Sequence, residues 1–369
     1  MIPIAEPLLG VEELNNVVEA VKSGWISSKG KFVTEFEEVF ARYCGVKYGI
    51  ATSNGTTALH LALVVLGIGR GDEVIVPTLT FIATANAVTF TGAKPVFVDS
   101  HPKYWCMDPA KIEQMITPRT KAIIPVHLYG HPCDMDLINA IARAHKLSVI
   151  EDAAEAHGAE YKGKKIGSFS DIACFSFYGN KIITTGEGGM CLTDNEELAV
   201  KLQILRDHGQ HPARRYWHDV IGFNYRMTNL QAAIGVAQIK KIDALIERKR
   251  QLAKWYAKAL EDLRRDADLT LPSEMPWAKN VYWMYTILLS EKLGLTRDEI
   301  AVKLEERGTE TRPMFYPLHV MPPYQNNSSF SIAEDLSQKG LSLPCGFNIG
   351  KAEVAEICGH ISSLFMSRI

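Results

Sequence analysis

The sequence predicts an α/β fold, with a large, mostly parallel sheet followed by a smaller α+β unit. Three observations carry this. From Tyr48 to Asp152, short apolar runs alternate with helical patterns, which is how buried parallel strands joined by helical crossovers read. The 369 residues suffice for a large core and for two domains. Past about residue 240 the alternation gives way to a mixed pattern, which divides the chain into a large α/β domain over 1–240 and a small α+β domain over 241–369.

The elements follow in order. Val11 to Ser23 reads as an amphipathic helix stopped by Gly24, and Phe32 to Tyr43 as a second, with Phe32, Phe36, Val39 and Phe40 at helical spacing. Tyr48 to Thr52 is a strand. It runs through Ser53-Asn54-Gly55-Thr56-Thr57 into an apolar helix, Ala58 to Leu66. Strand, small-residue turn and helix start make an anion site, because the free N–H groups and the positive end of the helix face the turn; the same residues also suit a plain cap by Ser53 or Thr56. His60, inside the apolar helix, reads as a satisfied core residue. Strands are then expected at Val74–Pro77, Pro95–Val98, Ala122–Leu128 and Leu147–Asp152, with helices at Phe81–Phe90, Pro109–Ile116 and Met135–His145.

Beyond Asp152, Ala173 to Phe177 is a β-like run and Met190 to Thr193 its return. Glu196 to Arg206 is helical. Asp207 to Met227 is irregular and rich in aromatic and basic residues, a length of loop that usually serves function. Thr228 to Leu263 reads as one long helix. In the remainder, Trp283 to Leu289 is a strand. Thr296 to Glu299 is a capping box for a helix closed by Gly308, Arg312 to His319 is extended, and Ala352 to Met366 is a last helix.

The totals exclude several classes. Forty basic and 42 acidic residues nearly balance, with no basic stripe for nucleic acid. The seven cysteines are scattered without a CxxC pair, so neither zinc nor a disulfide framework is implied, and a reduced, cytoplasmic setting is expected. The N-terminus lacks the basic and apolar regions of a signal peptide. No apolar run reaches the ~20 residues that span a bilayer.

The chemistry concentrates in two stretches. Glu151-Asp152-Ala153-Ala154-Glu155-Ala156-His157-Gly158 ends one strand, and Ser176-Phe177-Tyr178-Gly179-Asn180-Lys181-Ile182-Ile183-Thr184-Thr185-Gly186-Glu187-Gly188-Gly189 follows the next. An acid and a lysine at neighbouring strand ends converge on one edge of an α/β sheet, where ligands bind. Such a lysine is either a surface residue or a desolvated nucleophile. These words resemble the sugar aminotransferases of the DegT/DnrJ/EryC/StrS type over nearly the whole chain. That resemblance implies the type I fold of aspartate aminotransferase and the cofactor pyridoxal 5′-phosphate (PLP).

The resemblance also implies roles, position by position. Lys181 matches the Schiff-base lysine and proton carrier, and Asp152 the acid facing the pyridine nitrogen. Glu155 matches the position beside the ring's phenolic oxygen, where many relatives carry Gln; a carboxylate there repels a phenolate unless the two share a proton. Phe81 matches the aromatic stacked on the ring. Gly55, Thr56, Thr57 and Ser176 match the phosphate ligands, and Asn224 a ligand from the other subunit of a homodimer. Arg226, Tyr316, His319 and Ser27 match substrate-side positions. No metal is implied.

Within the family, Trp25-Ile26-Ser27-Ser28, Asn54 to His60, Asn180 to Gly189 and Arg214-Arg215-Tyr216-Trp217 resemble the branch that moves the amino group of glutamate to C4 of GDP-4-keto-6-deoxymannose, for O-antigen or a similar surface polysaccharide. The same chemistry on a dTDP- or UDP-linked 4-keto-6-deoxy sugar is the alternative. In the sugar-dehydratase branch a His replaces the lysine, and Lys181 is present.

Overall fold

In the computed structural model, which describes residues 1–290 and 294–366, α1 (Val11–Ser23) and α2 (Lys31–Cys44) lead into the expected alternation. Next come β1 (Tyr48–Thr52), α3 (Gly55–Val65), β2 (Glu73–Pro77), α4 (Ala83–Phe90), β3 (Lys94–Val98), β4 (Thr120–Ile123), α5 (Met135–His145) and β5 (Ser148–Asp152). A short hairpin, β6 (Glu160–Tyr161) and β7 (Lys164–Lys165), precedes β8 (Ile172–Ser176), β9 (Gly189–Thr193) and α6 (Glu196–Arg206).

Seven strands form one sheet in the order β1-β9-β8-β5-β4-β2-β3. Its neighbours pair in parallel except around β9, which is antiparallel to both β1 and β8. Alternate residues feed two cores. Val74 and Val76 pack with Leu61, Ala85 and Val88 on one face, whereas Ile75, Phe175 and Phe177 join Phe36 and Phe40 on the other. Burial on both faces is why these strands read as continuous apolar runs. Parallel pairing of β2, β4, β5 and β8, with β1 and β8 both antiparallel to β9, puts the C-terminal ends of β1, β2, β5 and β8 on one edge, the edge that holds ligands in such sheets.

Two expected helices differ. Pro109 to Ile116 forms two single 3₁₀ turns, Pro109–Lys111 and Glu113–Met115. Pro118 biases the chain just before it away from helix, so the segment has no room to extend. Thr228 to Leu263 is three helices, α7 (Asn229–Lys240), α8 (Ile242–Ala259) and α9 (Glu261–Asp266). Lys241 leaves the helical region at φ −111°, ψ 7°, and its amine meets the Leu8 carbonyl at 3.2 Å and Glu13 at 2.5 Å.

The C-terminal part adds β10 (Ala278–Lys279), β11 (Tyr285–Leu288), α10 (Arg297–Glu305), β12 (Arg312–Pro313), α11 (Ser331–Lys339), β13 (Gly340–Leu343) and α12 (Lys351–Met366). The expected capping box opens α10: Thr296 Oγ1 accepts from the Glu299 N–H, and Glu299 Oε2 from the Thr296 N–H. A second sheet runs β11-β13-β12, all antiparallel. Neither α11 nor β13 was expected. Asp99, just past β3, accepts from the Ala333 N–H at 2.9 Å, so the large sheet supplies the anion that satisfies the start of α11. No described helix is long and apolar enough to cross a membrane.

Candidate active site

The aligned strand ends enclose a cavity of about 510 Å³. Asn54, Gly55 and Thr56 line it from the start of α3, Phe81 and Thr84 from the turn after β2, and Asp152 and Glu155 from the end of β5. Ser176 and Lys181 enter after β8, and Trp283, Arg312 and Phe315 cover it from the C-terminal part. Six residues expected from the sequence to hold the cofactor, namely Gly55, Thr56, Phe81, Asp152, Glu155 and Ser176, thus share one cavity with Lys181.

The Lys181 amine lies 3.9 Å from Glu155 Oε1 and 3.7 Å from the centre of the Trp283 ring. Burial pushes its pKa down, opposed by the charges of Glu155 and Asp152. The indole is a cation–π surface for the charged amine, and its Nε1–H donates to the Asn180 carbonyl at 2.8 Å, which fixes the ring. Burial pushes Glu155 the other way, up to about 7. Its Oε2 accepts from the Tyr129 N–H at 2.7 Å. Tyr129 presents that N–H from a left-handed backbone, φ 53°, a conformation a bulky residue holds only when its surroundings fix it. Here the Tyr129 hydroxyl accepts from the Phe315 N–H, and the two rings pack at 5.2 Å.

Asp152 is 5% exposed. Its Oδ2 accepts from the Thr84 hydroxyl at 2.7 Å and its Oδ1 from the Ala154 N–H at 3.2 Å. Burial raises its pKa, and the Thr84 bond is the first of the contacts that hold it down. The adjacent Glu151 turns to the opposite face. It accepts from the N–H groups of Gly167 and Phe169 and the hydroxyl of Ser170. His127 Nδ1 accepts from the Cys133 N–H, so its Nε2 is the nitrogen that donates to Glu151, at 3.3 Å. This network braces the strand end that carries Asp152.

The turn after β1 is capped by Asn54, rather than by Ser53 or Thr56: its Oδ1 accepts from the Thr57 N–H at 2.9 Å. The Thr57 hydroxyl bonds back to the Asn54 carbonyl, so Thr57 shapes the turn without lining the cavity. A Cβ on Gly55 would come within 2.7 Å of Ser176 Cβ. The missing side chain therefore opens the helix N-terminus and the Ser176 hydroxyl to the same space. Phe81 is 56% exposed, its ring 5.9 Å from Phe315; it faces the cavity and is not core. His60 is a satisfied core residue, 7% exposed and bonded to the Tyr225 hydroxyl at 3.0 Å.

The remaining expected residues lie outside the cavity of their own chain. Arg226 is held by Asp207 at 2.7 Å, Asn224 at 3.0 Å and His208 at 3.2 Å. Ser27 accepts through its carbonyl from the Asn229 N–H at the start of α7. Tyr316 borders a second cavity of about 370 Å³ beside Arg297. His319 is 2% exposed, with Nδ1 at 2.7 Å from Thr78 Oγ1 and Nε2 at 3.1 Å from Glu334; it ties the end of β2 to α11. Sequence reasoning passed over Thr84, Tyr129, Trp283, Arg312 and Phe315. Only Thr84 left a signal, one helical spacing beyond Phe81.

The residues fit PLP. Open helix N–H groups with Ser176 suit a phosphate, buried Asp152 suits a protonated ring nitrogen, and the Lys181 amine faces the same space. The family model described as "DegT/DnrJ/EryC1/StrS aminotransferase family" matches residues 7–362. The chain is 51% identical to the GDP-perosamine synthase of Caulobacter vibrioides, covering 99% of this chain and 98% of that protein. It is 47% identical to the GDP-perosamine synthase of Escherichia coli O157:H7, over 100% and 99%. Among solved structures, PseC of Helicobacter pylori, an aminotransferase of pseudaminic acid biosynthesis, superposes with a TM-score of 0.93 at 29% identity, over 99% of each chain.

Proposed function

The chain belongs to the DegT/DnrJ/EryC1/StrS aminotransferase family, and on that footing we propose that it is a GDP-perosamine synthase, moving the amino group of glutamate to C4 of GDP-4-keto-6-deoxymannose. The aminotransferases of the family are PLP-dependent. The observation that carries the chemistry is Lys181 buried beside Glu155 in the cavity that Asp152 also lines. The full-length likeness to proteins of that name carries the substrate.

When bound, PLP supplies an electron sink and a carrier for the amino group. The protein does the rest. Lys181 Nζ anchors the cofactor, and once released it takes the proton from the donor's α-carbon and later delivers one to C4 of the sugar. Burial favours the neutral amine that such a base must be. The Asp152 carboxylate, aimed by Thr84, keeps the ring nitrogen protonated. Asn54 shapes the turn that, with Ser176, takes the phosphate, and Phe81 offers a ring face. Burial raises Glu155 to about 7, so beside a phenolic oxygen the two groups can share a proton instead of repelling as two full charges.

We further propose a cytoplasmic homodimer in which Asn224 of one chain reaches the phosphate of its partner's site, with a product destined for O-antigen or a related surface polysaccharide. The support is that Asn224 and Arg226 sit on an exposed loop and line no part of their own cavity. Amination assays on one set of GDP-, dTDP- and UDP-linked 4-keto-6-deoxy sugars test the substrate. The GDP sugar is expected to turn over, and amination of only the other two overturns the assignment.

A further inference from the structure

Asn224 sits in a segment that its own chain holds from two sides. Phe223 donates its N–H to the Leu205 carbonyl at 2.7 Å, and its carbonyl accepts from the His208 N–H at 2.8 Å. Tyr225 donates its N–H to the Arg206 carbonyl at 3.1 Å, and its carbonyl accepts from the Ser53 N–H at 2.8 Å. Ser53 precedes Asn54, the cap of α3. Residues 223–226 are thus an extended link between the end of α6 and the turn that shapes the chain's own phosphate site.

Along an extended segment, alternate side chains point to opposite sides. Phe223 and Tyr225 turn toward α3. Their rings stack at 4.7 Å with an angle of 7°, and the His60 ring meets them edge-on at 5.1 and 5.9 Å. His60 Nδ1 lies 3.0 Å from the Tyr225 hydroxyl. Asn224, between the two rings in sequence, is exposed. Its Oδ1 accepts from the Arg226 Nε–H at 3.0 Å. A guanidinium only donates, so that contact sets which end of the amide is which and leaves the NH2 to donate to an outside acceptor. A phosphate is such an acceptor.

We propose that the His60–Tyr225 contact positions Asn224 for the phosphate of the partner subunit's site. The helix whose N-terminus serves one site then also aims the amide that serves the other. The inference rests on the shared-site homodimer proposed above. Neither His60 nor Tyr225 lines the cavity; both act through the backbone of residues 223–225 as positioning residues. An amide on a free loop loses backbone and side-chain freedom each time it engages an anion. Stacked and bonded neighbours remove part of that loss in advance.

The test places lesions on chosen chains of a hybrid dimer. One chain carries Lys181→Ala together with Tyr225→Phe and is paired with a wild-type chain, so the one lysine-bearing site takes Asn224 from the altered chain. PLP is titrated by the absorbance of the lysine-bound cofactor. Affinity at that site should fall about three- to tenfold below the hybrid made with Lys181→Ala alone, the range for one neutral hydrogen bond. With Tyr225→Phe on the lysine-bearing chain and Lys181→Ala on the other, affinity should match that hybrid. Pyridoxal, which has no phosphate, should bind equally in both arrangements. His60→Leu in place of Tyr225→Phe should lose at least as much, and His60→Asn, which keeps a polar group near the hydroxyl, less than His60→Leu. A loss that follows the lysine-bearing chain, equal losses for PLP and pyridoxal, or no loss overturns the inference. A chain with Lys181→Ala and Asn224→Ala, paired with wild type, tests the premise separately. Undiminished PLP affinity there would remove the shared site, and the positioning role with it.

Discussion

Lys181 Nζ and Glu155 Oε1 stand 3.9 Å apart in a site where both side chains are nearly buried. Burial lowers the lysine and raises the acid to about 7, so each group is drawn toward its neutral form while the other's charge opposes the change. Their protons titrate as a property of the pair. Burial, by lowering the lysine's pKa, makes its amine better able to alternate between base and acid.

Glu155→Gln is therefore expected to keep cofactor binding while altering the pH profile. Wild-type kcat/KM should show a limb with an apparent pKa near 7, and the variant should lose it. Stability gives an independent readout. A carboxyl whose pKa rises on folding binds more protons in the folded state, so its contribution is full below the unfolded value of 4.5 and is lost as pH climbs toward 7. Denaturant titrations of the cofactor-free protein should show that slope in wild type and a flatter one in Glu155→Gln. Identical slopes would mean that Glu155 is not perturbed.

Thr84→Val removes the hydroxyl that donates to Asp152 at 2.7 Å. With burial no longer opposed by that bond, the Asp152 carboxyl moves further up. PLP affinity should fall about tenfold, within the range for losing a hydrogen bond to a charged group, and the loss should deepen as pH falls. Equilibrium dialysis across pH measures it. An affinity equal to wild type at every pH would sever Thr84 from the site.

Mixed dimers test whether sites are shared. Lys181→Ala chains and Asn224→Ala chains are each expected to be nearly inactive. A heterodimer of the two has one site with both lesions and one with neither, so mixing should restore part of the activity. No recovery after proven exchange of chains would place Asn224 outside its partner's site.

What could be read in advance follows the physics of each element. The large sheet was legible because strands buried on both faces leave long apolar runs; the ends of those runs drew attention to Asp152 and Lys181, and the family resemblance of the surrounding words supplied their expected roles and that of Ser176. The break at Lys241 left no Gly or Pro; it coincides with contacts to Leu8 and Glu13, more than 200 positions away. The start of α11 is satisfied by Asp99 of the other sheet, so the local sequence carries no cap to find. Tyr129 takes a left-handed backbone without being Gly or Asn. Arg312 reads as one more charged residue in an extended stretch, and Trp283 as the start of a strand; only the covering of the cavity by the C-terminal part brings them to Lys181. His319, expected beside substrate, has both ring nitrogens committed to Thr78 and Glu334, which residue type alone does not reveal.

The most direct test of the account is to follow the nitrogen. Wild type and Lys181→Ala are incubated with PLP, ¹⁵N-glutamate and GDP-4-keto-6-deoxymannose, and the sugar nucleotide is analysed by mass spectrometry and NMR. Wild type should yield one ¹⁵N per sugar, bonded to C4, with 2-oxoglutarate formed in equal amount, and Lys181→Ala should yield almost none. A product that has lost oxygen without gaining ¹⁵N, or a Lys181→Ala enzyme that transfers the label at the wild-type rate, would contradict it.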